Sequence, residues 1–159
     1  MQKLLLRIYS SKKASLALKI ISHASVLCSV AAFCAILICA YRAEPWDAAY
    51  TLLFAAIPFV IVTVVRKLIN APRPYELYDF YKVAPKEKRG ESFPSRHVFS
   101  SFIIATLIVP HSIPLAAALF VIGISLAASR VLLGMHFIRD VAAGALIGII
   151  SGVIGIIIM

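Results

Sequence analysis

The run VAAGALIGIISGVIGIIIM, residues 141–159, contains no charged residue. As a helix rising 1.5 Å per residue it would reach about 28 Å, close to the roughly 30 Å hydrocarbon core of a bilayer. Comparable apolar runs lie upstream at about 20–41, 48–65 and 115–133, with a shorter one at 98–109. Of the 159 residues, 62% are hydrophobic and 14% charged, and the mean hydropathy is +0.96. A soluble domain of this length cannot bury so much apolar surface, because small domains hide only part of what they carry. The pattern predicts an all-α polytopic membrane bundle of about five transmembrane helices, forming a single domain over residues 1–159. Residues 1–16, with Lys3, Arg7, Lys12 and Lys13, are expected to form an N-terminal interfacial helix. The apolar run behind them is too long for a secretory signal and is expected to stay as a span.

The formal net charge is +9. The basic residues fall between the apolar runs, where they orient the chain or meet anionic headgroups and anionic substrates. Membrane lipids rather than nucleic acid are therefore the expected partners. With a cytoplasmic N-terminus, all 16 Lys and Arg residues except Arg42 lie on the cytoplasmic side, as the positive-inside tendency favours. Cys28, Cys34 and Cys39 share one apolar run without ligand spacing and are expected to be small packing residues. The seven acids are scattered, so no metal or other cofactor is expected. Gly144, Gly148 and Gly152 recur every fourth residue and let helices approach closely, which fits either internal packing or a homodimer.

Ionisable residues inside an apolar helical frame are costly and point to a site. They form three clusters: Arg66-Lys67 with Arg73-Pro74, then Pro94-Ser95-Arg96-His97, then Ser129-Arg130 with His136 and Asp140. On a continuous helix His136 and Asp140 share a face. A carboxylate on one ring nitrogen fixes the tautomer and makes the other nitrogen more basic, as a nucleophilic histidine requires. Asp140 fits equally well as a first-turn acid at a helix N-terminus. Arg130 reaches the same pocket through a bend at Gly134. Ser95 fits as a helix N-cap, although the unpaired N–H groups of a helix start also suit a phosphate. Arg66 and Lys67 are explained as well by lipid headgroups at the end of a span. Arg73 is stiffened between Pro72 and Pro74, and its planar fork matches phosphate oxygens. Taken together the clusters offer a nucleophile, an orienting acid, a proton donor and positive charge, the set that covalent phosphoryl transfer needs.

The spacing of these clusters resembles the type 2 phosphatidic acid phosphatase family, the membrane branch of the superfamily that includes vanadium haloperoxidases. Ser129, Arg130, His136 and Asp140 match the third signature of that family completely. Pro94-Ser95-Arg96-His97 matches the second, with Arg96 in the place of glycine. Arg66 with Arg73-Pro74 matches the first, with arginine for the usual lysine and Lys67 beside it. The resemblance implies a metal-independent membrane lipid phosphatase. In it His136 attacks phosphorus to form a phosphohistidine, Asp140 orients His136, and His97 protonates the leaving oxygen. Arg66, Lys67, Arg73, Ser95, Arg96 and Arg130 are implied to hold the phosphate. Phosphatidic acid, phosphatidylglycerol phosphate and polyprenyl diphosphate are the substrates it implies. It further implies six spans and an extracytoplasmic site, against the cytoplasmic side that charge favours. A catalytically inactive relative that binds anionic lipids is the alternative, although mere anion binding needs the arginines and not His136, His97 or Asp140.

Overall fold

In the computed structural model of the chain, residues 11–78 and 89–158 are described, and their secondary structure is entirely helical. Helix α1 spans Lys12–Ala43 and starts at Ser11, whose Oγ accepts from the Ala14 N–H at 3.3 Å. Helix α2, Pro45–Ile69, opens on a proline, whose missing N–H has no intrahelical partner to lose at that position. It continues through Pro58 and stops where Asn70 turns left-handed, at φ 43°. A single turn, α3, covers Pro74–Leu77. Helix α4 is Arg96–Leu107 and α5 is Ile113–Leu132, the latter opened by Ser112 and Pro114. Helix α6 is Ile138–Ile158.

Helices α1, α2, α5 and α6 are long and apolar enough to cross a membrane. At 12 residues α4 reaches only about 18 Å. The reason is its surroundings: it packs against α1, α2, α5 and α6 at once. Val98, Phe99, Ala105 and Leu107 on it are fully buried, so its length is matched to neighbouring helices and not to lipid. The expected five spans become four long helices around a short fifth. Residues 12–16, expected in a separate interfacial helix, are instead the first turns of α1. The remainder of that expectation, residues 1–10, lies outside the described residues.

The outer surface is apolar. Leu27, Ile57, Val121 and Ile157 are all exposed, as the lipid-facing side of a multi-pass membrane protein requires. Cys28, Cys34 and Cys39 also point outward, which corrects the expectation that they pack inside. The glycine stripe does the packing instead. A Cβ on Gly144 would lie 2.5 Å from the Ser95 carbonyl oxygen, and one on Gly148 would lie 2.7 Å from that of Phe99. On Gly152 it would lie 2.6 Å from the Thr106 Cβ. The stripe therefore seats α6 directly on the α4 backbone, within one chain. Gly148→Ala should cost about 1–3 kcal/mol through overpacking, read as an earlier transition in denaturant unfolding of the detergent-solubilised protein. A surface control, Ile157→Ala, should unfold with the parent.

Candidate active site

Three chain segments meet at one end of the bundle, tied by backbone hydrogen bonds. Ser92 N–H donates to the Ala71 carbonyl at 2.9 Å, Tyr75 N–H to that of Gly134 at 3.3 Å, and Ser95 N–H to that of Asp140 at 2.9 Å. Gly134 takes φ 67°, a left-handed value that favours glycine. The bend it makes ends α5 and turns Met135 and His136 back, so that both N–H groups donate to the Arg130 carbonyl. The expected bend at Gly134 is present.

Between the segments lies a cavity of about 270 Å³ lined by Arg66, Lys67, Arg73, Arg96, His97, Arg130 and His136, together with Thr63 and Glu91. Seven of the nine expected site residues thus share one cavity. Arg66, Arg73 and Arg130 are buried, at 5%, 6% and 4% exposure, whereas Lys67 is exposed at the rim. Arg66 donates to the carbonyls of Pro94 (2.9 Å) and Glu91. Arg73 Nε donates to the Gly90 carbonyl at 2.9 Å. Ser95 and Asp140 stand behind the cavity wall, both fully buried. Ser95 occupies the N-cap of α4, but its side chain caps nothing and its Oγ has no hydrogen-bond partner. Its hydroxyl does not line the cavity, so the expected phosphate contact of Ser95 is not formed there.

His136 departs from the sequence expectation. It precedes α6 instead of riding on a helix continuous with Asp140. Its Nδ1 is 2.8 Å from the Ser92 carbonyl oxygen and 3.7 Å from Asp140 Oδ2, the latter too long for a hydrogen bond. A carbonyl can only accept, so Nδ1 carries the proton and Nε2 keeps the lone pair. Asp140 acts one step removed: its Oδ2 accepts from Ser92 Oγ at 2.5 Å and from the Phe137 N–H at 2.9 Å. The second bond is the helix-start role that Asp140 offered as its simpler explanation. The first makes Ser92 the link between acid and imidazole. Ser92 was not legible as a site residue, since nothing in its spacing separates it from any loop serine.

Burial holds the pKa of His136 below the ordinary 6.5. The negative charge of Asp140 nearby acts in the opposite sense, and the charges of Arg73 and Arg66 reinforce burial. Neutral imidazole is the resting form at physiological pH.

Residues 44–159, a segment containing all three clusters, match the PAP2 superfamily. The chain belongs to that superfamily. Its relatives include the bacitracin transport permease protein BcrC of Bacillus licheniformis, 28% identical over 103 residues, which are 62% of this chain and 51% of BcrC. The chain thus spans about half the length of that curated relative. Among solved structures it is similar to Aquifex aeolicus LpxE, with a TM-score of 0.71 and 25% identity, covering 97% of this chain and 93% of that one. It shares its fold with a transmembrane PAP2-type phosphatidylglycerolphosphate phosphatase from Bacillus subtilis, with a TM-score of 0.64 and 22% identity, covering 99% and 91%.

The Ser92 link in this PAP2 chain makes a measurable prediction. Ser92→Ala leaves the buried Asp140 carboxylate short of one donor, at a cost of about 1–3 kcal/mol in unfolding free energy. A carboxylate with fewer donors is freer to stabilise an imidazolium. The NMR titration midpoint of His136, expected below 6.5 in the parent, should therefore rise in the variant. An unchanged midpoint would mean that Ser92 does not couple the two groups.

Proposed function

We propose that the chain is a membrane-embedded lipid phosphatase working through a phosphohistidine. The observation that carries this is the fixed tautomer of His136. Its Nδ1–H is committed to the Ser92 carbonyl, which leaves the Nε2 lone pair as the nucleophile in a cavity walled by Arg66, Arg73, Arg96 and Arg130. The guanidinium groups of Arg66, Arg73 and Arg130 suit the equatorial oxygens of a phosphoryl group in transfer.

In the proposed reaction His136 Nε2 attacks phosphorus while the bond from phosphorus to the lipid oxygen breaks. The leaving oxygen keeps the electron pair of that bond and takes a proton from His97, which lines the same cavity. Burial and the Arg130 charge hold the His97 pKa down to about 3, and the entering phosphate anion raises it by offsetting that charge. Water then gives a proton to His97 as its oxygen attacks the phosphohistidine, the N–P bond breaks with its electron pair returning to Nε2, and inorganic phosphate leaves with His136 and His97 both restored. Asp140, through Ser92, positions the ring and supports the positive charge that the phosphorylated imidazole carries. Ser95 stands behind the cavity wall, and its backbone N–H, donated to the Asp140 carbonyl, holds the start of α4 beside the site without touching the phosphate. Membership of the PAP2 superfamily and the apolar outer surface support a lipid as the carrier of that phosphate. No step in this scheme calls for a metal ion.

His136→Ala should lower kcat for phosphate release from detergent-dispersed lipid phosphates by at least about a thousandfold. Acid-labile phosphoenzyme, trapped in the parent with labelled substrate, should be missing in the variant. Normal turnover by the alanine variant would sink the assignment, and so would loss of parental activity on adding a chelator.

The depressed pKa of His136 fixes the pH dependence. Protonation of Nε2 removes the lone pair, so activity is present above the folded-state pKa and lost as pH falls through it. The acid limb of kcat/KM should accordingly lie below pH 6.5. A limb at or above 6.5 would contradict a buried neutral nucleophile.

A further inference from the structure

Arg96 and His97 border two spaces. Besides the polar cavity, a second cavity of about 230 Å³ lies between α1, α2, α4 and α5, with Val26, Val30, Phe59, Ile104 and Leu126 among its apolar lining. Val30 and Phe59 are 50% and 39% exposed, so this cavity reaches the lipid-facing surface. Arg96 and His97 are the two residues common to both linings. A lipid with its reacting phosphoryl group in the polar cavity and its tail in the apolar one must pass between them.

Arg96 is held unlike its neighbours. Arg66 and Arg73 are tied to backbone carbonyls, and Arg130 donates to the Met135 sulfur at 3.3 Å. The Arg96 guanidinium instead lies over the Phe59 ring, 5.4 Å from its centroid, and among the described residues no carboxylate pairs with it. Contact through its face leaves the N–H groups at its edge available. It is also the position at which the PAP2-type second signature departs from glycine.

What meets Arg96 depends on the substrate. In a phosphomonoester the group beyond the leaving oxygen is carbon, and a charge beside an apolar cavity there finds no partner. In a diphosphate it is a second phosphoryl group, whose oxygens match the guanidinium fork. We propose that Arg96 binds the phosphoryl group next to the lipid tail and makes the chain selective for lipid diphosphates over lipid monophosphates. This rests on the phosphatase activity proposed above. The bond that breaks joins the terminal phosphorus to the bridging oxygen. That oxygen leaves with the electron pair as part of a lipid monophosphate, takes its proton from His97, and develops its charge beside Arg96.

The test is a matched pair sharing one tail, farnesyl diphosphate and farnesyl monophosphate, with the purified full chain in detergent. The quantity read is the ratio of kcat/KM values, diphosphate over monophosphate, in the parent, Arg96→Gly and Arg96→Gln. Both substitutions should lower the ratio by about ten- to a hundredfold, the range of one charge-assisted hydrogen bond. A ratio unmoved by either substitution overturns the selectivity while leaving the phosphatase intact. Phosphate release from neither lipid overturns the phosphatase and the selectivity with it. Should both variants fail to fold, inhibition of the parent decides. A farnesyl methylenediphosphonate should bind about tenfold or more tightly than the matching monophosphonate, and equal inhibition by the two counts against the proposal.

Discussion

Around the cavity, the carbonyl oxygens of residues 90 to 94 set the geometry on which the other groups depend. Gly90 accepts from Arg73, Glu91 and Pro94 accept from Arg66, and Ser92 accepts from His136. Backbone carbonyls are neutral acceptors, so they orient two guanidinium groups and one imidazole without cancelling any charge. Carboxylates in those places would orient equally well but would neutralise the cations that an anionic substrate needs. The segment is itself pinned. Glu76 Oε1 accepts from the Gly90 N–H at 2.8 Å, and Asn70 Oδ1 accepts from the Glu91 N–H at 3.2 Å. Gly90 stands at φ 66°, a left-handed value that favours glycine, and a Cβ there would lie 2.1 Å from Asn70 Oδ1, so a side chain would push Asn70 off the Glu91 N–H.

Such a wall carries electrostatic cost. Arg66, Arg73 and Arg130 are nearly buried, and like charges repel more strongly the further they are withdrawn from water. Hydrogen bonds to carbonyls offset part of the desolvation, but the repulsion among the cations remains until an anion enters. Energy for holding them apart from solvent comes from helix packing elsewhere, which is what preorganisation means at a phosphoryl-transfer site. The Glu91 and Asp140 carboxylates offset part of that repulsion at Arg66, where burial and the charges of Arg73 and Arg96 outweigh them. Asp140 stands behind His136, engaged by Ser92 and the Phe137 N–H.

The apolar runs at 20–41, 48–65, 115–133 and 141–159 were legible as membrane helices because bilayer thickness imposes a length that composition alone reveals. The gathering of Arg66, Arg73, His97, Arg130 and His136 followed from alternating spans that return their ends to one side. What the sequence did not disclose lies in the connections. Whether Asp140 touches His136 directly depends on the Gly134 bend, which takes His136 off the helix, and i,i+4 spacing means contact only on a continuous helix. Ser92 stayed hidden because its two partners are 44 and 48 residues away, and no local pattern encodes a pairing that distant. The cysteines of α1 were misplaced for a related reason: a helix apolar on every face does not declare which side meets lipid.

The short α4 joins these strands of the structure. His97 sits in its first turn and His136 lies just before α6, so the separation of the two imidazoles is set by how α4 and α6 approach each other. At the end of the bundle that holds the site, that approach is fixed by Gly144 against the Ser95 carbonyl oxygen and by the Ser95 N–H donated to the Asp140 carbonyl. A side chain at position 144 would wedge the start of α4 away from α6 and carry His97 away from His136. The glycine stripe, which reads in the sequence as a generic device for close helix packing, therefore doubles here as the spacer between the groups assigned to attack and to protonation. A helix long enough to span the membrane by itself would meet lipid thickness as a second constraint on its depth. At 12 residues α4 is free of that constraint, and its position answers to the helices around it.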